Sequence, residues 1–149
     1  MAVSYAAYGA IYGAPLGAVT FTPTIGTAFG STQAQIEELT PAPSKIDTAK
    51  YTPISGVNAG IEQFTLTKTP VQELKIKATY GKTEHAAAMT CQAAKITGTL
   101  LVTYSDGSTD TFAIAALTDV QMSASNSTAT ITDDLTFAVV MPPVFAAGT

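Results

Sequence analysis

Alternation of apolar and polar positions is strongest over residues 96–144, and it reads as sheet. Residues 96–104 (ITGTLLVTY) are β-branched and aromatic, Ser105, Asp106, Gly107 and Ser108 supply a turn with a glycine free to take a positive φ, and residues 109–117 return. The pattern predicts a hairpin with Phe112, Ile114 and Ala116 on one face of its return strand. Asp110 shares their parity, but it sits beside the turn, within reach of water. A third strand is expected over 135–144, where Leu135, Phe137, Val139 and Met141 alternate with Thr136, Ala138 and Val140. Both of its faces are mostly apolar, which predicts burial on both sides.

Upstream, residues 59–68 and 71–80 form two further expected strands around Thr69 and Pro70. In the second, Leu74, Ile76, Ala78 and Tyr80 share one face and Glu73, Lys75 and Lys77 the other, the signature of a half-exposed strand. Residues 32–39 (TQAQIEEL) suit either a short helix or a strand, and the prolines that follow decide for strand. Residues 40–58 read as an extended loop punctuated by Pro41, Pro43, Pro53 and Gly56. A connection of that length is functional or holds a hairpin of its own. The alanine-rich stretch over about 83–95 predicts the one helix, with Thr83 as cap, Glu84 in the first turn, Lys95 near the end and Gly98 just beyond. Met89, Ala93 and Ile96 are expected to face the sheet. The fold class is mainly β, a sandwich or barrel-like subunit with one helix packed on the sheet.

A chain of 149 residues makes one ordinary domain. We divide it into an uncharged N-terminal arm over 1–35 and a single β-rich domain over 36–149. The arm holds Tyr5, Tyr8 and Tyr12 and a short β-like run at 18–22, and its first charged neighbour is Glu37. It reads as an arm ordered by contact with neighbouring subunits, or as a flexible leader followed by an edge strand. Charged residues make up 12% of the chain, about half the ~25% of a typical domain. Cover by other subunits accounts for that deficit, as does a neutral Thr/Ser/Gln surface.

Charge distribution narrows the function. There is no arginine, the seven lysines lie between Lys45 and Lys95, and after Lys95 every charged side chain is an aspartate. Tight binding to nucleic acid, which draws on clustered Arg and Lys, is not expected; letting nucleic acid pass without sticking remains allowed. Cys91 is the only cysteine, so no intrachain disulfide forms. No signal peptide is expected, because the N-terminus lacks a positive segment and glycines interrupt its apolar run. No uninterrupted run approaches the ~20 apolar residues of a membrane span.

The search for catalysis returns no catalytic, cofactor-binding or metal-binding residue. His85 is the single histidine, and its spacing of six from Cys91 on a helix points the two side chains about 120° apart. Glu37 and Glu38, and Asp133 and Asp134, are adjacent pairs whose members point to opposite faces of a strand, so a solvated strand end is the expected setting. Asp106 and Asp110 offer too few oxygens for calcium. An enzyme is not expected, and no cofactor is implied.

The order of segments resembles the major tail tube proteins of long-tailed bacteriophages with non-contractile tails. Residues 34–53 (AQIEELTPAPSKIDTAKYTP) are similar to that family's early strand, Pro-containing stretch and turn into a long loop, and residues 54–66 (ISGVNAGIEQFTL) to the passage leading into its central strand. The helix, the Ser-Asp-Gly-Ser hairpin and the Asp-Asp-Leu-Thr strand follow in the family's order. The resemblance implies a subunit that self-assembles into stacked hexameric rings, a hollow virion tail tube built in the host cytoplasm, through which DNA travels on ejection. It implies other tail proteins as partners, no specific DNA binding and no membrane. Under it, Tyr5, Tyr8, Tyr12, Pro41, Pro43, Ile46, Tyr51 and Pro53 become inter-subunit candidates, and Asp106, Asp110 and Asp119 acidic candidates for the lumen. Another virion protein of the head or neck, or an extracellular Ig-like binding module with Tyr51, Tyr80 and Tyr104 at its loop tips, are the competing readings.

Overall fold

The computed structural model describes residues 16–32, 35–124 and 130–148. Ten strands and one helix lie among them: β1 (Leu16–Pro23), β2 (Phe29–Thr32), β3 (Ile36–Thr40), β4 (Thr48–Tyr51), β5 (Gln63–Leu66), β6 (Gln72–Thr79), α1 (Lys82–Ala93), β7 (Thr97–Tyr104), β8 (Thr109–Ser123), β9 (Thr132–Val139) and β10 (Val144–Ala146). Eight strands form one antiparallel sheet in the order β2-β1-β7-β8-β9-β6-β3, with β10 paired to β8; β4 and β5 pair only with each other. The chain is therefore mainly β with one helix on a sheet, as its residue pattern predicts.

The sheet is strongly curled. Phe21 on β1 and Phe137 on β9 are three strands apart in the order, which in a flat sheet would separate them by about 14 Å. Their ring centroids are 5.4 Å apart, and the Phe29 ring, tilted by 56°, packs against Phe21 at the same distance. The concave face closes over these rings with Leu74, Ile76, Leu100, Val102 and Val139, and α1 covers the opening with Ala88 and Cys91.

Residues 16–32, assigned by sequence to the arm, are not an arm: β1 pairs with both β2 and β7, and Val19, Phe21 and Phe29 are core. Apolar alternation outweighs the missing charges, because a strand flanked on both sides needs none. Tyr5, Tyr8 and Tyr12 lie outside the described residues.

The parity of β8 also departs from the residue pattern, and its cause is the β-bulge. Leu100 faces Phe112 while Gly98 faces Ala115, so β8 carries one residue more than β7 between those pairs. The extra residue reverses parity. Ile114 is turned out, 55% exposed, and Ala115 and Leu117 are buried in place of Ile114 and Ala116. A second bulge between Leu117 and Asp119 reverses it again. On β9 the two faces are buried unequally: Leu135, Phe137 and Val139 are core, Asp134, Thr136 and Ala138 on the other face are half-buried, and Val140, just past its end, is exposed.

The helix also departs in detail. Gly81 is its N-cap and no side chain caps it, so Thr83 does not. Ala88 and Cys91 face the sheet, and Met89 is 45% exposed. At the C-terminal end Lys95 adopts φ 56°, with Lys95 N–H donating to Gln92 and Ile96 N–H to Cys91, the 5→2 and 6→1 bonds of a Schellman motif. Gly98 instead lies in β7, where a side chain would collide with the Thr22 carbonyl oxygen.

Phe137→Ala, which removes the ring that holds the curl, is expected to lower unfolding free energy by about 3–5 kcal/mol in denaturant melts. Lys95→Gly is expected to raise it by about 0.5–1 kcal/mol, since relief of a left-handed lysine exceeds the added freedom of the unfolded chain. Both values come from the same chemical unfolding curves.

Candidate assembly surfaces

The loop predicted over 40–58 is in fact the first half of a projecting arm. β4 and β5 pair through Thr48↔Leu66, Ala49↔Thr65, Lys50↔Phe64 and Tyr51↔Gln63. The root is fastened at one residue: Asp47 N–H donates to the Lys68 carbonyl (2.8 Å), and the Asp47 carbonyl accepts from both the N–H (2.8 Å) and the hydroxyl (3.0 Å) of Thr67. The tip is shaped by Gly60 N–H to Pro53, Ala59 N–H to Gly56 and Ile61 N–H to Asn58, with Gly56 and Gly60 at positive φ.

What this arm lacks is cover. Ile46, Tyr51, Ile54, Val57, Ile61, Phe64, Leu66 and Val71 are all half or more exposed, with Ile54 at 97% and Val57 at 99%. Full burial of such a side chain is worth about 1.5–3 kcal/mol, so on the order of 10 kcal/mol of burial is unrealised here. A two-stranded hairpin with no face covered is marginal in water by itself. Of the inter-subunit candidates, Ile46, Tyr51 and Pro53 sit on this arm, and Pro41 and Pro43 line a groove at its root with Thr40, Val71 and Glu73.

The second surface is the convex face of the sheet over β3, β6, β9 and β8. Its charges are laid out in rows by the strand register. Glu38, Lys77, Asp134 and Gln121 lie side by side, as do Thr40, Lys75, Thr136 and Asp119. Glu73 approaches Lys75 at 4.0 Å. Each lysine thus has carboxylates as neighbours on this face, and four carboxylates surround two ammonium groups. One of them, Asp134, has its Oδ1 buried with no hydrogen bond among the described residues.

The lumen candidates do not converge. Asp119 belongs to the convex face, while Asp106 and Asp110 lie at the β7–β8 hairpin. There Asp106 is held below the usual carboxylate range by the hydroxyl (2.6 Å) and N–H (2.9 Å) that Ser108 donates to it. Asp110 accepts a 2.9 Å hydrogen bond from the Tyr104 hydroxyl, and burial together with that bond pushes the phenol up to about 12.

Sequence reading missed one pair entirely. Asp133 is buried, not solvated, and its Oδ1 is 2.9 Å from His85 Nδ1 on the first turn of α1. Tyr80 packs on the same imidazole, ring centroids 5.4 Å apart. The two partners are 48 residues apart, so no local motif marks them. Among the described residues, no group of three His, Cys, Asp or Glu side chains is placed to hold a metal ion.

No family model matches this chain, and neither does any curated protein. Solved structures do. A chain in the extended-state sheath–tube complex of PVC, an extracellular contractile injection system, matches 98% of this chain and 99% of its own at 15% identity, with a TM-score of 0.61. A chain of the tail of an empty GTA particle, refined with C6 symmetry, gives a TM-score of 0.63 at 12% identity over 87% of this chain and 95% of its own. A chain from the tube-terminating cap of the anti-feeding prophage gives 0.62 at 13% identity, covering 99% and 95%.

The fold is tail-tube-like. The PVC particle is contractile, so this tail-tube-like fold is not confined to the non-contractile tails that the sequence resembles. Among the described residues, the arm and the convex face are two of the surfaces that the chain's own packing leaves open. Tyr51, Tyr80 and Tyr104 fall on three separate elements: the arm, the end of β6 and β7. They form none of the loop-tip clusters that an Ig-like binding module would use.

Tyr104 is expected to give a phenolate absorbance step near pH 12 that Tyr104→Phe removes and Asp110→Asn moves down. The folded pKa lies above the unfolded value near 10, so this phenol's stabilisation is complete below pH 10 and is lost as pH rises from about 10 to about 12.

Proposed function

We propose that this chain is the tube subunit of a phage tail, assembling into hexameric rings that stack into a hollow conduit for DNA. The observation that carries this reading is the arm: an ordered hairpin with its apolar side chains in water, on a chain with few charges to keep it dispersed. The tail-tube-like fold supports the same reading, because it is one in which neighbouring copies would supply the missing cover.

The convex face is the lining of the bore. Its lysines are neighboured by Glu38, Glu73 and Asp134, so a passing phosphate meets no isolated cation and gains no counterion release. That is a surface over which DNA slides. Asp119 and Asp134 contribute to it, and Asp106 and Asp110 do not. The site of action is the virion tail, assembled in the host cytoplasm alongside other tail proteins, without membrane or cofactor. The sequence resemblance over residues 34–66 supports a non-contractile tail, in which this tube carries no sheath. No chemistry is performed by the subunit, whose role is structural.

Negative-stain microscopy of the concentrated protein is expected to show hollow rods of uniform width; a dispersed monomer at every concentration would overturn the reading. The double variant Ile54→Glu, Val57→Glu is expected to keep the native circular dichroism and melting curve, both side chains being almost wholly exposed, while weakening assembly at least about tenfold per substitution in sedimentation.

A further inference from the structure

The strand register gives the subunit two distinct ends. At one, Gln72 on β6 lies beside Val139 on β9, which lies beside Ala115 on β8, and the arm leaves from here, between Thr40 and Val71. At the other, Thr79, Thr132 and Ser123 lie side by side. Just there, on the core side of the sheet, Tyr80, Met122 and Ile131 are 36%, 45% and 41% exposed. They form one surface. Tyr80 N–H donates to the Ile131 carbonyl (3.0 Å), and Met122 faces Asp133, which faces Ala78, two strand spacings or about 10 Å across.

We infer that Tyr80, Met122 and Ile131 form the seat for the arm tip of a second copy, joined head to tail along the strand axis. This rests on the tube reading above and names the surface by which one ring takes hold of the next. Three observations carry it. Arm and seat lie at opposite ends of the same strands, so a copy displaced along those strands presents its arm to the seat of its neighbour. Residues 51–61 of the arm tip contain no charged side chain, and neither do residues 120–124 and 130–132, which carry Met122 and Ile131 of the seat, so joining these segments strips no ion of theirs of water. And the seat is held rigid: the His85 imidazole packs on Tyr80 and is fixed in turn by buried Asp133. The His85–Asp133 pair acts here as a positioning device, with no proton chemistry. Because the two surfaces differ, the contact is heterologous and leaves a free arm and a free seat at every stage, which is what open-ended growth requires.

The test uses the whole protein carrying Val57→Cys and Met122→Cys, with the native Cys91 buried and so out of reach of a short bis-maleimide cross-linker. The expected result is a ladder of covalent multimers from the double variant and dimers only from a mixture of the two single variants. Met122→Glu is expected to leave rings intact while abolishing rods. Rods that form with no cross-linking above the Cys91 background would overturn the seat and leave the tube reading standing. Absence of rods from the unsubstituted protein would overturn both.

Discussion

The contact of Phe21 with Phe137 is the constraint from which the rest of the subunit follows. Eight strands in one antiparallel sheet would expose both faces if the sheet lay flat. By meeting across three strands, these two rings turn one face into a core small enough for a single helix to close. The same curl leaves the convex face without cover, and there the register places Lys75 and Lys77 among carboxylates. Core and open face are thus two consequences of one curvature. The β8 bulges serve it, since an extra residue increases local twist and bends the strand.

Much of this was legible in the residues. Period-2 alternation located β6, β7 and β9, the Ser-Asp-Gly-Ser turn located the hairpin, and alanine content located α1. What stayed hidden was parity. Nothing in FAIAALTD announces that a bulge will bury Ala115 and turn Ile114 out, because both are apolar and the choice is made by the partner strand. The helix face was misread for a related reason: an alanine-rich helix offers little contrast between its sides, so the sheet decides which side it covers.

The candidate assembly surfaces were legible to a different degree. Prolines and length marked residues 40–58 as more than a connector, and Ile46, Tyr51 and Pro53 do lie on the arm. Its second strand, with Phe64 and Leu66, was read as an ordinary sheet strand, since sequence alone does not say which strand it will pair with. Acidic residues were identified as a class, but their placement depended on register, which brings Asp134 and Asp119 to one face and sends Asp106 to a turn. His85 and Asp133 meet only through the tertiary fold.

The hydrogen bonds inside the arm tip bear on kinetics. Gly60 to Pro53, Ala59 to Gly56 and Ile61 to Asn58 shape the tip before any neighbour arrives. A segment that folds only on contact gives up part of its gross interaction energy to ordering, whereas a pre-shaped one gives up little. Under the proposed assembly, the elongation rate is then set by how often copies collide in the right orientation, on the order of 10⁵–10⁷ M⁻¹s⁻¹ for ordinary docking, so tube growth tracks subunit concentration rather than a slow folding clock.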